Sequence, residues 1–278
     1  MLLACVQTDV RFADVSANLA RLKTWLAHAG AARAELVVMP ECLLSGYAYE
    51  DRETAIAHAQ SIHDPLFADI AQVAAEYSLH VSFGFLEWEP RQQRLFNSAV
   101  LVGSGGIVGH YRKIHLPHLG VDRFVDRGDI PYHTDAIACG SDGDVNVGLA
   151  ICYDSSFPEP MRLLGLAGAD VIALGTNWPI AAQRTAEIVP PARSMENHLF
   201  FVAANRVGSE NGFQFCGRSS ICGPDGVVLA SSRDDCETML VAEIDPTAAR
   251  NKRIERTPGK HVIDRLADRR PEFYGGLL

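Results

Sequence analysis

Val145-Asn146-Val147-Gly148-Leu149-Ala150-Ile151-Cys152-Tyr153-Asp154 is the stretch on which the reading of this chain turns. Val145, Val147, Leu149 and Ile151 make an apolar run rich in strand formers, which predicts a buried strand ending at Cys152. Ser156-Phe157-Pro158-Glu159 follows, and Met161-Arg162-Leu163-Leu164-Gly165-Leu166 continues with helical spacing. Ser156 with Glu159 three residues on reads as a capping box, with Pro158 in the first turn. Cys152 is therefore expected in a tight turn between a strand and a helix. That setting holds a side chain rigidly and exposes backbone N–H groups, as a thiol nucleophile requires. The competing reading is a buried structural cysteine, the commoner fate of a free thiol.

Working outward, residues 1–10 and 36–39 read as strands, and 17–27 and 66–77 as amphipathic helices. Residues 80–88, 96–102 and 107–111 read as antiparallel strands, the last two joined by the turn Gly103-Ser104-Gly105-Gly106. Beyond the cysteine, strands are expected at 171–174, 199–204, 218–223, 226–232 and 238–244, with a helix around 193–198. Residues 246–278 are charged and poor in apolar periodicity. No internal repeat or linker is visible, and one domain over 1–278 is the simplest reading, with 246–278 as an extension. Strands alternate with helices and many strands are apolar throughout, which predicts sheets covered by helices and packed on another sheet.

The formal charge of −9 argues against nucleic acid or an anionic membrane as partner. Seven cysteines, an odd number with no CxxC, point to free thiols in a reducing compartment. Leu2-Leu3-Ala4-Cys5 has no basic or apolar region before it, so no signal is read there and a cytoplasmic location is expected.

Two further stretches place a charged residue at a strand end. Glu41 follows Leu36-Val37-Val38-Met39-Pro40, where an unpaired carboxylate is costly. Lys113 leaves the strand before His115-Leu116-Pro117. The plainer readings are a helix cap for Glu41 and a solvated charge for Lys113.

The order Glu41, Lys113, Cys152 with these flanks resembles the nitrilase superfamily of carbon–nitrogen hydrolases. The resemblance starts at Ala4-Cys5-Val6-Gln7 and takes in Pro40-Glu41, Ser45-Gly46-Tyr47, Tyr111-Arg112-Lys113 and Cys152-Tyr153-Asp154. It continues through Gly168-Ala169-Asp170, Asn177-Trp178-Pro179, Glu196-Asn197, Asn205-Arg206-Val207-Gly208 and Arg269-Arg270-Pro271. It implies an α/β fold, a four-layer α-β-β-α sandwich, dimeric or larger through helix packing beside the nucleophile.

The resemblance also implies catalytic Glu41, Lys113 and Cys152. Their chemistry is coherent: only a thiolate attacks well, a carboxylate can take the thiol proton, and a cation stabilises the anion. Lys113 and the backbone N–H of Tyr153 are then the expected oxyanion donors. No metal and no cofactor are expected. His110, His115 and His118 match no standard ligand spacing. Gly103–Gly109 lacks the GK[ST] of a phosphate loop. Many relatives carry a second glutamate between lysine and cysteine; the counterpart here is Asp122, one methylene shorter. Ser156 stands where relatives often have arginine. Tyr47, Phe157, Asn177 and Trp178 are candidates for the substrate pocket, against a reading as ordinary core residues. Cys216 and Cys222 read as core thiols.

The activity expected is hydrolysis of a small linear amide through an acyl-cysteine. Tyr153-Asp154 follows the nucleophile where true nitrilases carry Trp-Glu, which favours amidase-like branches, including N-carbamoyl amide hydrolysis, over nitrile hydrolysis. A glutaminase subunit and a catalytically silent binding protein on the same scaffold are the rivals. With Ser156 and Asp122 in place, neutral or cationic amides are expected to be preferred. The helix after Phe157 is apolar on more than one side, so a homodimer or higher even oligomer is expected, residues 246–278 lying across the partner.

Overall fold

In the computed structural model, residues 1–140 and 143–277 are described. Leu278, the last residue of the C-terminal extension, lies outside them. The first half runs β1 (Leu2–Gln7), α1 (Val15–Ala31), β2 (Leu36–Val38), α2 (Arg52–Ala57), α3 (Leu66–Tyr77), β3 (His80–Glu89), β4 (Arg94–Gly103) and β5 (Gly106–Arg112). Next come β6 (Thr134–Cys139), β7 (Gly143–Ile151), α4 (Pro158–Leu166), β8 (Val171–Thr176), α5 (Gln183–Asn197) and β9 (Phe200–Asn205). The chain closes with β10 (Ser209–Glu210), β11 (Phe213–Gln214), β12 (Ser220–Cys222), β13 (Val228–Ser231), β14 (Thr238–Glu243), α6 (Thr247–Arg250), β15 (Arg253–Thr257) and β16 (His261–Asp264).

Two six-stranded sheets result, in the orders β14-β1-β2-β3-β4-β5 and β13-β12-β9-β8-β7-β6. In the first, β1, β2 and β3 are parallel; in the second, β7, β8 and β9 are parallel. The period-two alternation of strands sorts the layers. Leu3, Cys5, Leu36 and Val38 face the second sheet and pack with Val145, Val147 and Leu149. Ala4, Val6, Val37 and Val81 face outward and pack against Leu22 and Leu26 of α1 and Phe67, Ile70 and Ala74 of α3. On the far side Met161 and Leu164 of α4 and Ala186 of α5 join the second sheet's core, Leu164 lying over Gly148. The four layers are thus helices, sheet, sheet, helices. Among the described residues no helix is long and apolar enough to cross a membrane.

The two sheets repeat one topology that the sequence does not display. Each has three parallel strands, then two antiparallel ones. Each is closed beyond the parallel strands by one antiparallel edge strand, β6 on β7 from just before it in the chain and β14 on β1 from near the chain's end. Parallel strands of both sheets end on one side, which brings Glu41 (after β2), Cys152 (after β7) and Asn177 (after β8) to neighbouring loops. That is where open parallel sheets place ligands.

Three local expectations are corrected. Ser156 does not cap the helix. A 3-10 turn covers Cys152–Ser156, and α4 starts at Pro158 with Phe157 as its N-cap and no side-chain cap. The helix expected around 193–198 is longer, Gln183–Asn197, and contains Pro190 and Pro191. Two prolines broke the pattern by which it would be read, yet each costs the helix only its own N–H bond and the fit of the preceding turn. Finally, the charged tail is not featureless: α6 and the β15–β16 hairpin lie within it.

Candidate active site

Glu41 sits in a turn that crosses close to two strands. A Cβ at Gly84 would fall 2.6 Å from Glu41 Cα and one at Gly175 would fall 2.9 Å from Glu41 N, so bare backbone on β3 and β8 gives the turn room. The carboxylate is fully buried. Its Oε1 accepts from Lys113 Nζ at 2.7 Å and from Asn97 Nδ2 at 2.7 Å. Its Oε2 is buried with no partner. Burial pushes the Glu41 carboxyl up and Asp122 adds to this, against the pull of Lys113.

Lys113 follows β5, its N–H donating to the Asn97 carbonyl at 2.8 Å. Its ammonium lies between two carboxylates, 2.7 Å from Glu41 and 2.6 Å from Asp122. Burial alone would lower the lysine; Asp122 and Glu41 overcome it and hold the group well above the ordinary lysine range. Asp122 stands on a 3-10 turn, Gly120–Arg123, and receives two more donors, Tyr47 Oη at 2.7 Å and Asn97 Nδ2 at 2.9 Å. The aspartate therefore reaches the lysine despite its shorter arm.

Cys152 lies on the turn after β7 with φ +43°, an uncommon conformation for a residue with a side chain. The turn is held from several directions. Asp154 Oδ2 accepts from Ile151 N–H at 3.0 Å and from Tyr111 Oη at 2.9 Å. Ser155 Oγ donates to the Cys152 carbonyl at 2.7 Å. Arg193 of α5 donates to the Ser155 and Ser156 carbonyls at 2.9 and 3.1 Å. Burial pushes the thiol well above its ordinary value, as does Glu41, while Lys113 and the Asn177 backbone N–H favour the thiolate. The Cys152 residue is 8% exposed.

The remaining candidates divide. Tyr47 is buried and belongs to the polar cluster through Asp122. Asn177 directs its N–H at the Cys152 sulfur, donates Nδ2 to the Glu41 carbonyl at 3.1 Å and leaves Oδ1 buried without a partner. Trp178 is buried in the inter-sheet core, its N–H on Asn205 Oδ1. Phe157 stacks on His115 at 4.1 Å between ring centroids, with Tyr153 against its edge. Cys216 and Cys222 are buried core thiols.

The three histidines part company: His110 meets Glu87, His115 meets Asp154, and His118 lines a separate cavity with Arg123. Among the described residues no His, Cys, Asp and Glu side chains group as metal ligands would. Asn97 and Asp154 went unremarked as site residues. A lone asparagine amid Leu95-Phe96-Asn97-Ser98-Ala99-Val100 was the available signal.

The carbon–nitrogen hydrolase family model matches residues 2–253. A nitrilase of Pyrococcus abyssi is 35% identical over 274 residues, covering 98% of each chain. An (R)-stereoselective amidase of a Pseudomonas species is 33% identical, covering 97% of this chain and 92% of its own. An amidase of Nesterenkonia has the same fold, with a TM-score of 0.79 at 23% identity, over 100% of this chain and 97% of its own. Solved forms of that amidase carry the acetamide moiety of fluoroacetamide on the active-site cysteine. The chain belongs to the carbon–nitrogen hydrolases of the nitrilase superfamily, and its likeness extends to their amidase-like branch.

Proposed function

We propose that this protein is a thiol amidohydrolase that cleaves the C–N bond of a small linear amide through an acyl-Cys152 intermediate. The observation that carries the reading is the unpartnered, buried Oε2 of Glu41, on a carboxylate whose other oxygen is tied to Lys113, in the field of the Cys152 thiol. A base with one free oxygen is what proton transfer from a high-pKa thiol needs.

In the first step Glu41 takes the thiol proton as Sγ bonds to the amide carbon. The carbonyl π electrons move to oxygen, which is received by Lys113 and the Tyr153 N–H. The tetrahedral adduct collapses as Glu41 returns the proton to nitrogen. The C–N bond breaks and ammonia or an amine leaves. Glu41 then takes a proton from water as the water oxygen attacks the thioester, and the C–S bond breaks as Glu41 returns that proton to Sγ, releasing the acid and restoring the thiol. Asp122 holds the Lys113 ammonium in place.

The charge of the site bears on the substrate. Two carboxylates face one ammonium. Arg123 is occupied by the Gly120 and Tyr49 carbonyls, and Arg193 by the nucleophile turn. These engagements support a preference for neutral or cationic amides. A homodimer is part of the proposal: Leu163 and Leu166 of α4 are 52% and 46% exposed, beside Tyr274 of the tail around a cavity of about 620 Å³.

The test is a panel of short amides, N-carbamoyl amides and nitriles read by ammonia release, with intact mass to trap the acyl-enzyme. Amide turnover with a trapped adduct on Cys152 is expected; turnover by Cys152→Ala refutes the proposal. Nitrile hydrolysis is the second reading, favoured by the Pyrococcus relative, and the same panel separates the two.

A further inference from the structure

We infer that Asn97 is a positioning residue that assigns the two oxygens of Glu41 different tasks, tethering Oε1 and leaving Oε2 as the proton carrier. The inference rests on the thiol-hydrolase reading and adds to it a residue that does no chemistry itself.

The amide of Asn97 is 1% exposed and lies on β4, between the two carboxylates. Nδ2 has two hydrogens, and both are used: one goes to Glu41 Oε1 at 2.7 Å, the other to Asp122 Oδ1 at 2.9 Å. Oδ1 accepts from the Cys42 thiol at 3.6 Å. The two carboxylates fix which way the amide points, since a flipped amide would set its oxygen against both, and the Cys42 donor agrees with that orientation. The backbone carbonyl of the same residue accepts from Lys113 N–H at 2.8 Å. Asn97 thus grips both ends of the lysine's surroundings.

A carboxylate can turn about its last side-chain bond and exchange its oxygens. With Lys113 and Asn97 both on Oε1, such a turn would break two charge-assisted bonds. Glu41 is therefore held with Oε2 free. The groups facing it are Lys113, Asp122 and Cys152 from the other loops, and Cys42 and Tyr47 from its own. Among the described residues, only Asn97 contacts both carboxylates with a neutral donor. Without it, Glu41 keeps one tether, is less stabilised when ionised, and requires a higher pH to serve as base.

The experiment uses the full-length chain and whichever short amide the wild type hydrolyses fastest. In Asn97→Ala and Asn97→Ser, kcat is expected to fall about tenfold or more with KM changed less than about threefold, because the substrate is not what Asn97 touches. The acid limb of kcat/KM is expected to move up by about half a pH unit or more. Cys42→Ala removes the donor on Oδ1, which slackens the amide without turning it, and should shift the limb in the same direction by a smaller amount, while Cys42→Ser, which retains a donor, restores it. That pair carries the test if the Asn97 variants do not fold. Acid limbs that coincide with wild type, or a loss confined to KM, overturn the role of Asn97 alone. A wild type that hydrolyses nothing in the panel, or an active Cys152→Ala, overturns the hydrolase reading and this inference with it.

Discussion

Asp154 is joined to His115 twice: its Oδ1 accepts from the His115 backbone N–H at 3.2 Å and from the ring Nδ1 at 2.8 Å. One carboxylate on the Cys152 turn thus anchors the segment that carries Lys113, two residues earlier. The bond also assigns the proton of the neutral imidazole to Nδ1. Replacing Asp154 by Ala leaves the buried Ile151 N–H without its side-chain acceptor, at about 1–3 kcal/mol, and leaves Tyr111 Oη with the Tyr132 hydroxyl alone. Asp154→Ala is expected to lose several degrees of melting temperature and more than about tenfold in rate. Thermal melts and the ammonia assay check this; unchanged values refute the tether.

Cys152→Ala should fold and show no turnover. Cys139→Ala, Cys216→Ala, Cys222→Ala and Cys236→Ala should retain most of the activity, since none of these thiols touches the Glu41–Lys113–Asp122 group. Burial raises the Cys216 thiol to about 11, so alkylation near neutral pH should be slow there. Intact mass after a short iodoacetamide pulse, with and without a bound amide, reads which cysteine reacts.

Glu41→Gln preserves the shape but accepts no proton, and Lys113→Met removes the charge between the two carboxylates. Each is expected to lower kcat by roughly a hundredfold or more, the scale of losing a general base or an oxyanion donor. Lys113→Met carries a second cost, because it leaves two buried carboxylates facing each other. Its acid stability should therefore rise relative to neutral pH, as one of them takes up a proton. Denaturant midpoints at two pH values test this.

Paired substrates test the charge of the site. An uncharged amide should exceed its carboxylate-bearing isostere in kcat/KM. An advantage for the carboxylate form, lost in Arg123→Ala or on adding salt, would refute this.

Glu87 provides a pH test away from the chemistry. Burial pushes its carboxyl up, but hydrogen bonds from His110, Arg112 and Ser98 outweigh it and bring the group down to about 2, from an ordinary 4.5. The folded value is the lower one, so the stabilisation is present above about pH 4.5 and is lost as pH falls toward 2. Glu87→Gln should be less stable at neutral pH, with a shallower loss of stability over that window. Parallel curves for the two proteins would show the cluster to be neutral in folding.

Much of the site was legible because its residues end apolar strands. Glu41, Lys113 and Cys152 are polar interruptions at strand ends, and such interruptions survive only where they are paired or used. Asp122 is marked by the family resemblance, as the counterpart of a second glutamate, and the structure brings it to Lys113. Asn97 was hidden for the opposite reason: it sits inside β4, where the alternation of Leu95-Phe96-Asn97-Ser98 reads as an ordinary strand. Its partners come from residues 41, 42 and 122, and no local pattern reports such distant pairings. Ser156 misled because Ser and Glu three apart satisfy the capping rule, while the turn needed by Cys152 takes up that residue first. The shared topology of the two sheets left no trace, since similar strand order does not require similar side chains.

The pairing of β14 with β1 has a consequence for synthesis. Leu2 pairs with Glu243, so β1 reaches its second neighbour only after nearly the whole chain has been made. Until then the apolar edge Leu2–Gln7 has unpaired backbone groups on one side. Pairings of such sequence separation form late and slowly. A nascent chain halted before residue 238 should therefore be sticky and prone to aggregation, and refolding of the intact protein should be limited by closure of β14 onto β1. The strand that seals the first sheet thus makes this protein dependent, during translation, on whatever shields an open strand edge in the cell.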